Sequence, residues 1–229
     1  MTSAHATPAK HGRHSRDDVA NAALGILDEY GLPDLTMRRL AAELDVQPSA
    51  LYWHFSNKQT LLAELADRIA GRGQSTYEPS ADWMIVTAAE SASLRDALLA
   101  YRDGAEVVSS TLALGLGVSV PLTRLTNAVS LGGFDDETCR RASTALLHFI
   151  LGHVSHEQQR LQYDSIGVAS GVPEPDTLAD NDADALDGAA AFEFGVLLFI
   201  NGLRHLTDDA RTVSVTVPRA ATPLPSEHS

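Results

Sequence analysis

Apolar residues recur along this chain at the three- and four-residue spacing that is typical of α-helices. The clearest pattern lies within residues 35–58, where it predicts two short helices with a break at Asp45. This arrangement is a helix-turn-helix. The positions expected to face inward are Leu40, Ala41, Leu44, Leu51 and Phe55.

The outward positions of the second helix carry amide, hydroxyl, aromatic and basic side chains, which suit phosphates and base edges. We therefore predict that this surface binds DNA. Periodicity alone equally allows a small helical hairpin whose aromatic residues only pack. The candidate DNA-binding residues are Thr36, Arg38, Gln47, Pro48, Ser49, Ala50, Tyr52, Trp53, His54 and Lys58.

Capping residues predict where the N-terminal helices begin. Ser15 precedes two acidic residues and predicts a first helix that ends at Gly31. Thr36 is expected to cap a second helix, which runs to about Leu44, and Asn57 a fourth helix, which leads out of the domain.

The rest of the chain predicts longer helices over 83–102, 121–132, 135–163 and 189–206. Residues 107–116 form a weakly patterned apolar segment. Residues 164–188 combine low hydrophobicity with many acids, which favours a mobile loop. The helix after it is apolar on nearly every face, so we expect it to be buried all round or against a second subunit.

Charge is distributed unevenly along the chain, whose net charge is −13. Residues 1–75 contain eight basic and nine acidic residues, so most of the excess acid lies after them. Lys10, Arg13 and Arg16 precede every acid and form a candidate arm for DNA, although a disordered basic tail fits equally well. The single cysteine, Cys139, and the lack of a predicted membrane span favour a reducing cytoplasm.

A longer motif adds to this pattern. Residues 35–46 read Leu-Thr-x-Arg-x-Leu-Ala-x-x-Leu-x-Val, and residues 50–62 read Ala-Leu-Tyr-Trp-His-Phe-x-x-Lys-x-x-Leu-Leu. This sequence resembles the DNA-binding domain of the tetracycline-repressor (TetR) family. The resemblance implies an all-α, dimeric regulator in which a small molecule on a C-terminal domain controls DNA binding.

The C-terminal part is similar to the tetracycline-repressor subgroup in segments 97–107, 148–154 and 191–203. The resemblance implies that helices near 135–160 and 186–206 form a four-helix bundle with a second copy. The expected organisation is a basic arm (1–14), a DNA-binding domain (15–75), a ligand-binding and dimerisation domain (76–206) that contains the loop 164–188, and a flexible tail (207–229).

The effector site of the subgroup does not carry over intact. At the position where the subgroup has a magnesium-binding histidine, this chain has Val108, and Gln74, Glu90 and Leu94 replace other drug contacts. We therefore expect a hydrophobic or polycyclic effector and no metal. The candidate ligand-binding residues are Gln74, Glu90, Leu94, Leu98, Arg102, Asp103, Val108, Leu112, Leu125, His148 and His153.

The sequence thus predicts a cytoplasmic, homodimeric repressor that is released from a palindromic operator by its effector, with an exporter gene as a candidate target. No cofactor and no membrane contact are expected. The alternative is a helical enzyme that uses a metal or histidines, because His153, His156 and Glu157 share a helix face.

Overall fold

The computed structural model describes residues 14–73, 82–116, 119–165 and 181–209 of the chain. Within these ranges every regular element is an α-helix, which confirms the predicted fold class. The helices are α1 (Arg16–Tyr30), α2 (Met37–Glu43), α3 (Pro48–Leu51), α4 (Lys58–Gly71), α5 (Trp83–Leu99), α6 (Gly104–Ala113), α7 (Ser119–Ser130), α8 (Asp136–Ser165) and α9 (Asn181–Asp209).

The predicted caps fix the ends of the N-terminal helices. The Ser15 hydroxyl accepts a hydrogen bond from the Asp18 amide, and the Asp18 carboxylate accepts one from the Ser15 amide. Asn57 and Thr60 form the same reciprocal pair at the start of α4. Each pair satisfies amides that a helix leaves free at its N-terminus.

The second helix of the helix-turn-helix is shorter than predicted. Helix α3 ends at Leu51, and the amides of His54 and Phe55 both bond to the Leu51 carbonyl in a following turn. Phe55 therefore lies outside the helix but still points inward. Leu51 and Phe55 are each 1% exposed, as the apolar pattern predicts.

Helix α4 connects the two halves of the molecule. It packs against α1 and also against α5, α6 and α7. Its buried residues Leu61, Leu65 and Ile69 belong to a hydrophobic core that continues from Val19 in α1 to Ile200 in α9. The two domains therefore share one core.

Arg16 is not part of a basic arm, because it begins α1 and binds within the domain. Its guanidinium donates to Glu64 in α4 at 2.9 Å and to the His54 carbonyl at 2.7 Å. The hydrogen bond from Arg16, together with one from Arg68, lowers the pKa of Glu64. The other arm residues, Lys10 and Arg13, lie outside the described residues, as does the segment 1–13.

Several boundaries in the C-terminal domain differ from the prediction. Helix α5 ends at Leu99, and the weakly patterned segment contains the regular helix α6. The predicted acidic loop is helical at both ends, because α8 continues to Ser165 and α9 begins at Asn181. Residues 166–180 of that loop and the predicted tail beyond residue 209 lie outside the described residues.

Helix α9 buries one face and exposes another. Its segment Gly188–Leu206 has a mean hydropathy of 1.2, so it meets the length and composition of a membrane span that the sequence was not expected to contain. A helix that packs between subunits meets the same criterion. Its buried residues are Phe192, Val196, Ile200 and Leu203, and its exposed ones include Phe194, Leu197, Leu198 and Leu206.

We expect Phe55→Ala to lower the free energy of unfolding by about 3–5 kcal/mol, because a fully buried ring leaves a cavity. Trp53→Ala is the matched control, since that ring is 90% exposed and its loss should change the free energy by less than about 0.5 kcal/mol. Urea denaturation of both variants measures the difference. Equal losses would contradict the inward assignment of Phe55.

Candidate DNA-binding surface and effector region

The candidate DNA-binding residues form an exposed surface around α3. Trp53 is 90% and Tyr52 50% exposed, although both rings are large and apolar. Nothing in the described chain buries them, so they are available to a partner. Thr36, Arg38, Gln47, Pro48 and Ser49 are also exposed, whereas Ala50, His54 and Lys58 are half-buried.

An open cleft of about 990 Å³ separates α3 from the start of α1. Its wall includes Gln47, Trp53 and His54 from α3 and its flanking residues (47–54, the recognition region) and His14 from the segment before α1. The His14 ring bonds to the Leu44 carbonyl at 3.1 Å, which ties that segment to the end of α2. The amide, indole and imidazole groups in this cleft can donate hydrogen bonds to phosphates and base edges.

Two neighbouring arginines in α2 have different environments. Arg39 donates to Asp34 at 2.7 Å and lies 3.5 Å above the Tyr30 ring. Arg38 is exposed on the same helix, and Lys58 begins α4 near the recognition region. Arg38 and Lys58 are the two basic side chains among the candidate DNA-binding residues.

The apolar candidates for the effector site lie together in the C-terminal core. Leu94, Leu98, Val108 and Leu125 are at most 2% exposed, and all belong to the shared core. Leu112 packs against them. We call this part of the shared core, which α5, α6 and α7 contribute, the effector interior. Gln74 lies outside the described residues.

Glu90 carries a charge into this interior, where it is 5% exposed. Its partner is Arg124 of α7, whose Nε donates to Glu90 Oε2 at 2.7 Å. Sequence reasoning missed Arg124 because the two residues are 34 positions apart. Two buried hydroxyls, those of Thr87 and Ser143, were also missed, and neither has a hydrogen-bond partner among the described residues.

Arg102 and Asp103 face the DNA-binding domain and lie beside a small cavity of about 250 Å³. Asp103 Oδ2 accepts from the Leu32 amide in the α1–α2 turn at 2.8 Å. Asp103 Oδ1 accepts from Gln162 in α8 at 2.6 Å. Asp103 has a left-handed backbone (φ 56°), which is uncommon for a residue other than glycine. It therefore links the two domains across the start of α6.

The two candidate histidines occupy separate places. His148 is exposed and lines an open groove of about 490 Å³ between α6 and α8, beside Glu106 and Ser110. His153 is half-buried near the rings of Phe149 and Phe192, and its Nε2 bonds to the Gly188 carbonyl at 3.0 Å. The candidate ligand residues therefore do not all line one cavity.

The alternative metal site is not supported by these contacts. Glu157 pairs with Arg95 at 2.5 Å, and the His153 ring bonds to a backbone carbonyl. No group of three His, Cys, Asp or Glu side chains in the described chain is arranged to hold a metal ion. Burial raises the pKa of the Cys139 thiol, which favours its protonated form.

Comparison with known families matches both domains. Residues 20–65 match the family described as "Bacterial regulatory proteins, tetR family". Residues 77–207 match "Tetracyclin repressor-like, C-terminal domain". Among curated proteins, the class A tetracycline repressor of Escherichia coli is 36% identical over 81% of this chain and 88% of its own length. The class E repressor of Escherichia coli is 32% identical over 87% of this chain and 95% of its own length.

Solved structures give the same result. BioQ from Mycobacterium smegmatis has a TM-score of 0.71 and 39% identity, over 83% of this chain and 97% of that one. BioQ with its double-stranded DNA operator has a TM-score of 0.66 and 37% identity, over 83% and 98%. A TetR variant from Acinetobacter baumannii AYE in complex with minocycline has a TM-score of 0.64 and 31% identity, over 84% and 98%.

We expect Arg38→Ala to weaken DNA binding at every sequence and to reduce the slope of log affinity against log salt by about one, as the loss of one phosphate contact does. The DNA used in the assay is a duplex that the wild-type protein selects from a random-sequence library. Arg39→Ala is the control, because Arg39 is held by Asp34 and Tyr30. An unchanged salt slope in Arg38→Ala would show that its charge does not contact phosphate.

Proposed function

Because the chain belongs to the TetR family of ligand-responsive, DNA-binding transcriptional repressors, we propose that it binds a palindromic operator as a homodimer and leaves it when an effector occupies the C-terminal domain. Its relatives are named transcriptional regulators, so the enzymatic alternative is rejected. Regulators of this family are soluble DNA-binding proteins, and we place this one in the cytoplasm. The observation that carries the proposal is the position of α4, which packs against the DNA-binding domain and the effector region alike.

The surface around α3 is the proposed operator contact. Gln47 and Ser49 are exposed at the N-terminal end of α3, the end at which a recognition helix presents side chains to the major groove, and Tyr52 is exposed at its C-terminal end. Trp53 and His54 line the adjoining cleft, and Arg38 and Lys58 supply charge for phosphates. Two such surfaces related by a two-fold axis would bind half-sites about one helical turn apart.

The exposed face of α9 is the proposed dimer interface. Phe194, Leu197 and Leu198 are 51–63% exposed on a helix whose opposite face is buried. Leu161 and Tyr163 near the end of α8 are also more than half exposed. A second copy would bury these side chains on both subunits at once, because a two-fold interface uses the same surface twice.

The interior between α5, α6 and α7 is the proposed effector site. Its walls include Leu94, Leu98, Val108 and Leu125, so a hydrophobic or polycyclic molecule suits it better than a metal chelate. Glu90 and Thr87 of α5 are buried polar groups on one of these helices that can orient such a ligand. We propose that the ligand displaces α4 and so changes the spacing of the two recognition regions. An exporter of the effector is the proposed target gene.

Selection of bound duplexes from fragments of the source genome, followed by a gel shift, tests the central proposal. We expect enrichment of an imperfect palindrome and a salt-sensitive complex that contains two copies of the chain. Enrichment of a single, non-repeated site, or of no site, would contradict it. The genes beside the recovered site then test whether an exporter is controlled.

We expect Leu198→Asp to produce monomers or aggregates, because it places a charge in the proposed α9 interface. Ile85→Asp is the matched control, since Ile85 is 66% exposed on α5 and is not one of the residues of the proposed interface. Sedimentation velocity at low micromolar concentration measures both. The monomer should also lose specific DNA binding, because linked half-sites no longer raise the effective concentration. A dimeric Leu198→Asp protein would place the interface elsewhere.

We expect tetracycline with magnesium neither to release the DNA nor to raise the melting temperature, because Val108 provides no ligand to the metal. A hydrophobic aromatic compound from a screened library should do both. Thermal-shift and gel-shift titrations with and without EDTA make the comparison. Release by tetracycline that EDTA abolishes would show that other side chains replace the missing histidine.

A further inference from the structure

Arg124 of α7 contacts the C-terminal end of α4, where Arg72, the residue after the helix, also bonds to Tyr101. Arg124 Nη1 donates to the Ala70 carbonyl in the last turn of α4 at 3.2 Å. Its Nη2 donates to the Ser93 hydroxyl of α5 at 3.1 Å. Its Nε donates to Glu90, also on α5, at 2.7 Å. Three helices are therefore joined by one guanidinium.

The contact with Ala70 has a clear physical role. The last four carbonyls of a helix lack partners within it, and a cation near them also complements the helix dipole. The side chains of Arg124 and Glu90 are 18% and 6% exposed. A buried ion pair generally adds no more stability than apolar packing would, so its value here lies in orientation. Glu90 holds Arg124 so that the guanidinium faces the Ala70 carbonyl.

A second observation places the same helix end against α5. A Cβ atom built on Gly73, two residues after α4, would lie 2.3 Å from the Ser93 hydroxyl and 2.6 Å from the Ser93 carbonyl oxygen. Only glycine allows the chain to leave α4 this close to α5. The hydrogen bonds of Arg124 and the close approach of Gly73 therefore fix α4 at the same residue, Ser93.

We propose that Arg124 is a positioning residue for DNA binding, which clamps the end of α4 to α5 and α7 and thereby limits the spacing that two DNA-binding domains can adopt. This inference rests on the proposed function, in which the chain is dimeric and the effector displaces α4. The clamp, composed of Glu90, Ser93, Arg124 and Gly73, lies beside the proposed effector interior. An effector that reorients Glu90 would release Ala70 without touching α4 itself.

A second ion pair in the same domain offers a matched control. Arg95 of α5 and Glu157 of α8 are 15% and 18% exposed and lie 2.5 Å apart. This pair resembles the clamp in type, burial and helix of origin. Its contacts join α5 to α8 and to the Phe192 ring of α9, and none of them within the described residues is with α4.

The experiment compares the double variants Arg124→Met/Glu90→Leu and Arg95→Met/Glu157→Leu, each of which removes a whole pair and leaves no unpaired buried charge. Hydrogen exchange in the last turn of α4 is read by mass spectrometry. Affinity is measured for the selected palindromic duplex and for a random duplex of the same length. Sedimentation velocity confirms that each variant has the oligomeric state of the wild type.

In the clamp variant we expect exchange in the last turn of α4 to accelerate about tenfold, the factor that one hydrogen bond to a charged group supplies. Affinity for the palindromic duplex should fall by about the same factor, because DNA binding must then order the end of α4 that the clamp no longer holds. Affinity for the random duplex should stay unchanged. The Arg95/Glu157 variant should match the wild type in both measurements. Gly73→Ala, which displaces α4 without altering the ion pair, should show the same faster exchange and the same loss of affinity. It replaces the clamp variant in the experiment if that variant does not fold.

Equal acceleration in the control variant would overturn the proposal, since it would show that any buried pair affects α4. Wild-type exchange and specificity in both the clamp variant and Gly73→Ala would overturn it as well. Failure of the wild type to bind a palindrome would instead overturn the proposed function. The exchange measurement, which needs no DNA, still decides whether Arg124 holds α4.

Discussion

The burial of α4 against both domains is the constraint on which the rest of the structure depends. Its residues Leu61, Leu65 and Ile69 belong to a core that begins in α1 and ends in α9. Close-packed interiors transmit displacement because their side chains have few alternative positions. A change between α5 and α7 therefore reaches the helix-turn-helix through packing. The hydrogen bond between Asp103 and the Leu32 amide gives the domains a second point of attachment, through the α1–α2 turn.

The arrangement of charge explains how a DNA-binding domain can contain more acids than bases. Several of its acids are used internally. Glu64 binds Arg16 and Arg68, Asp17 binds Arg68, and Asp34 binds Arg39. These pairs hold α1 against α4 and fix the start of α2, and Arg16 also donates to the His54 carbonyl beside α3. The net charge of the domain therefore does not describe the electrostatic potential around the basic groups near α3.

The features that could be predicted from the sequence are local ones. The caps at Ser15 and Asn57 depend on residues three positions apart, and the inward positions of Leu51 and Phe55 follow from periodicity. Contacts between distant residues could not be predicted. Arg16 reads as part of a basic arm until Glu64, 48 positions later, is seen beside it. The Glu90–Arg124 pair and the bridging role of Asp103 likewise depend on how the helices pack, which a single sequence does not encode in its spacing.

The two tryptophans of the chain stand in different domains and different surroundings. The Trp53 indole is 90% exposed beside the recognition helix, so its emission should resemble that of the free amino acid in water. The Trp83 indole meets the Phe134 ring edge to face at 5.1 Å, between the start of α5 and the turn before α8. The protein thus contains two intrinsic fluorophores, one that senses solvent at the helix-turn-helix and one that senses packing in the C-terminal domain. Replacing one tryptophan with phenylalanine would allow the domain that keeps the other to be followed by its tryptophan fluorescence.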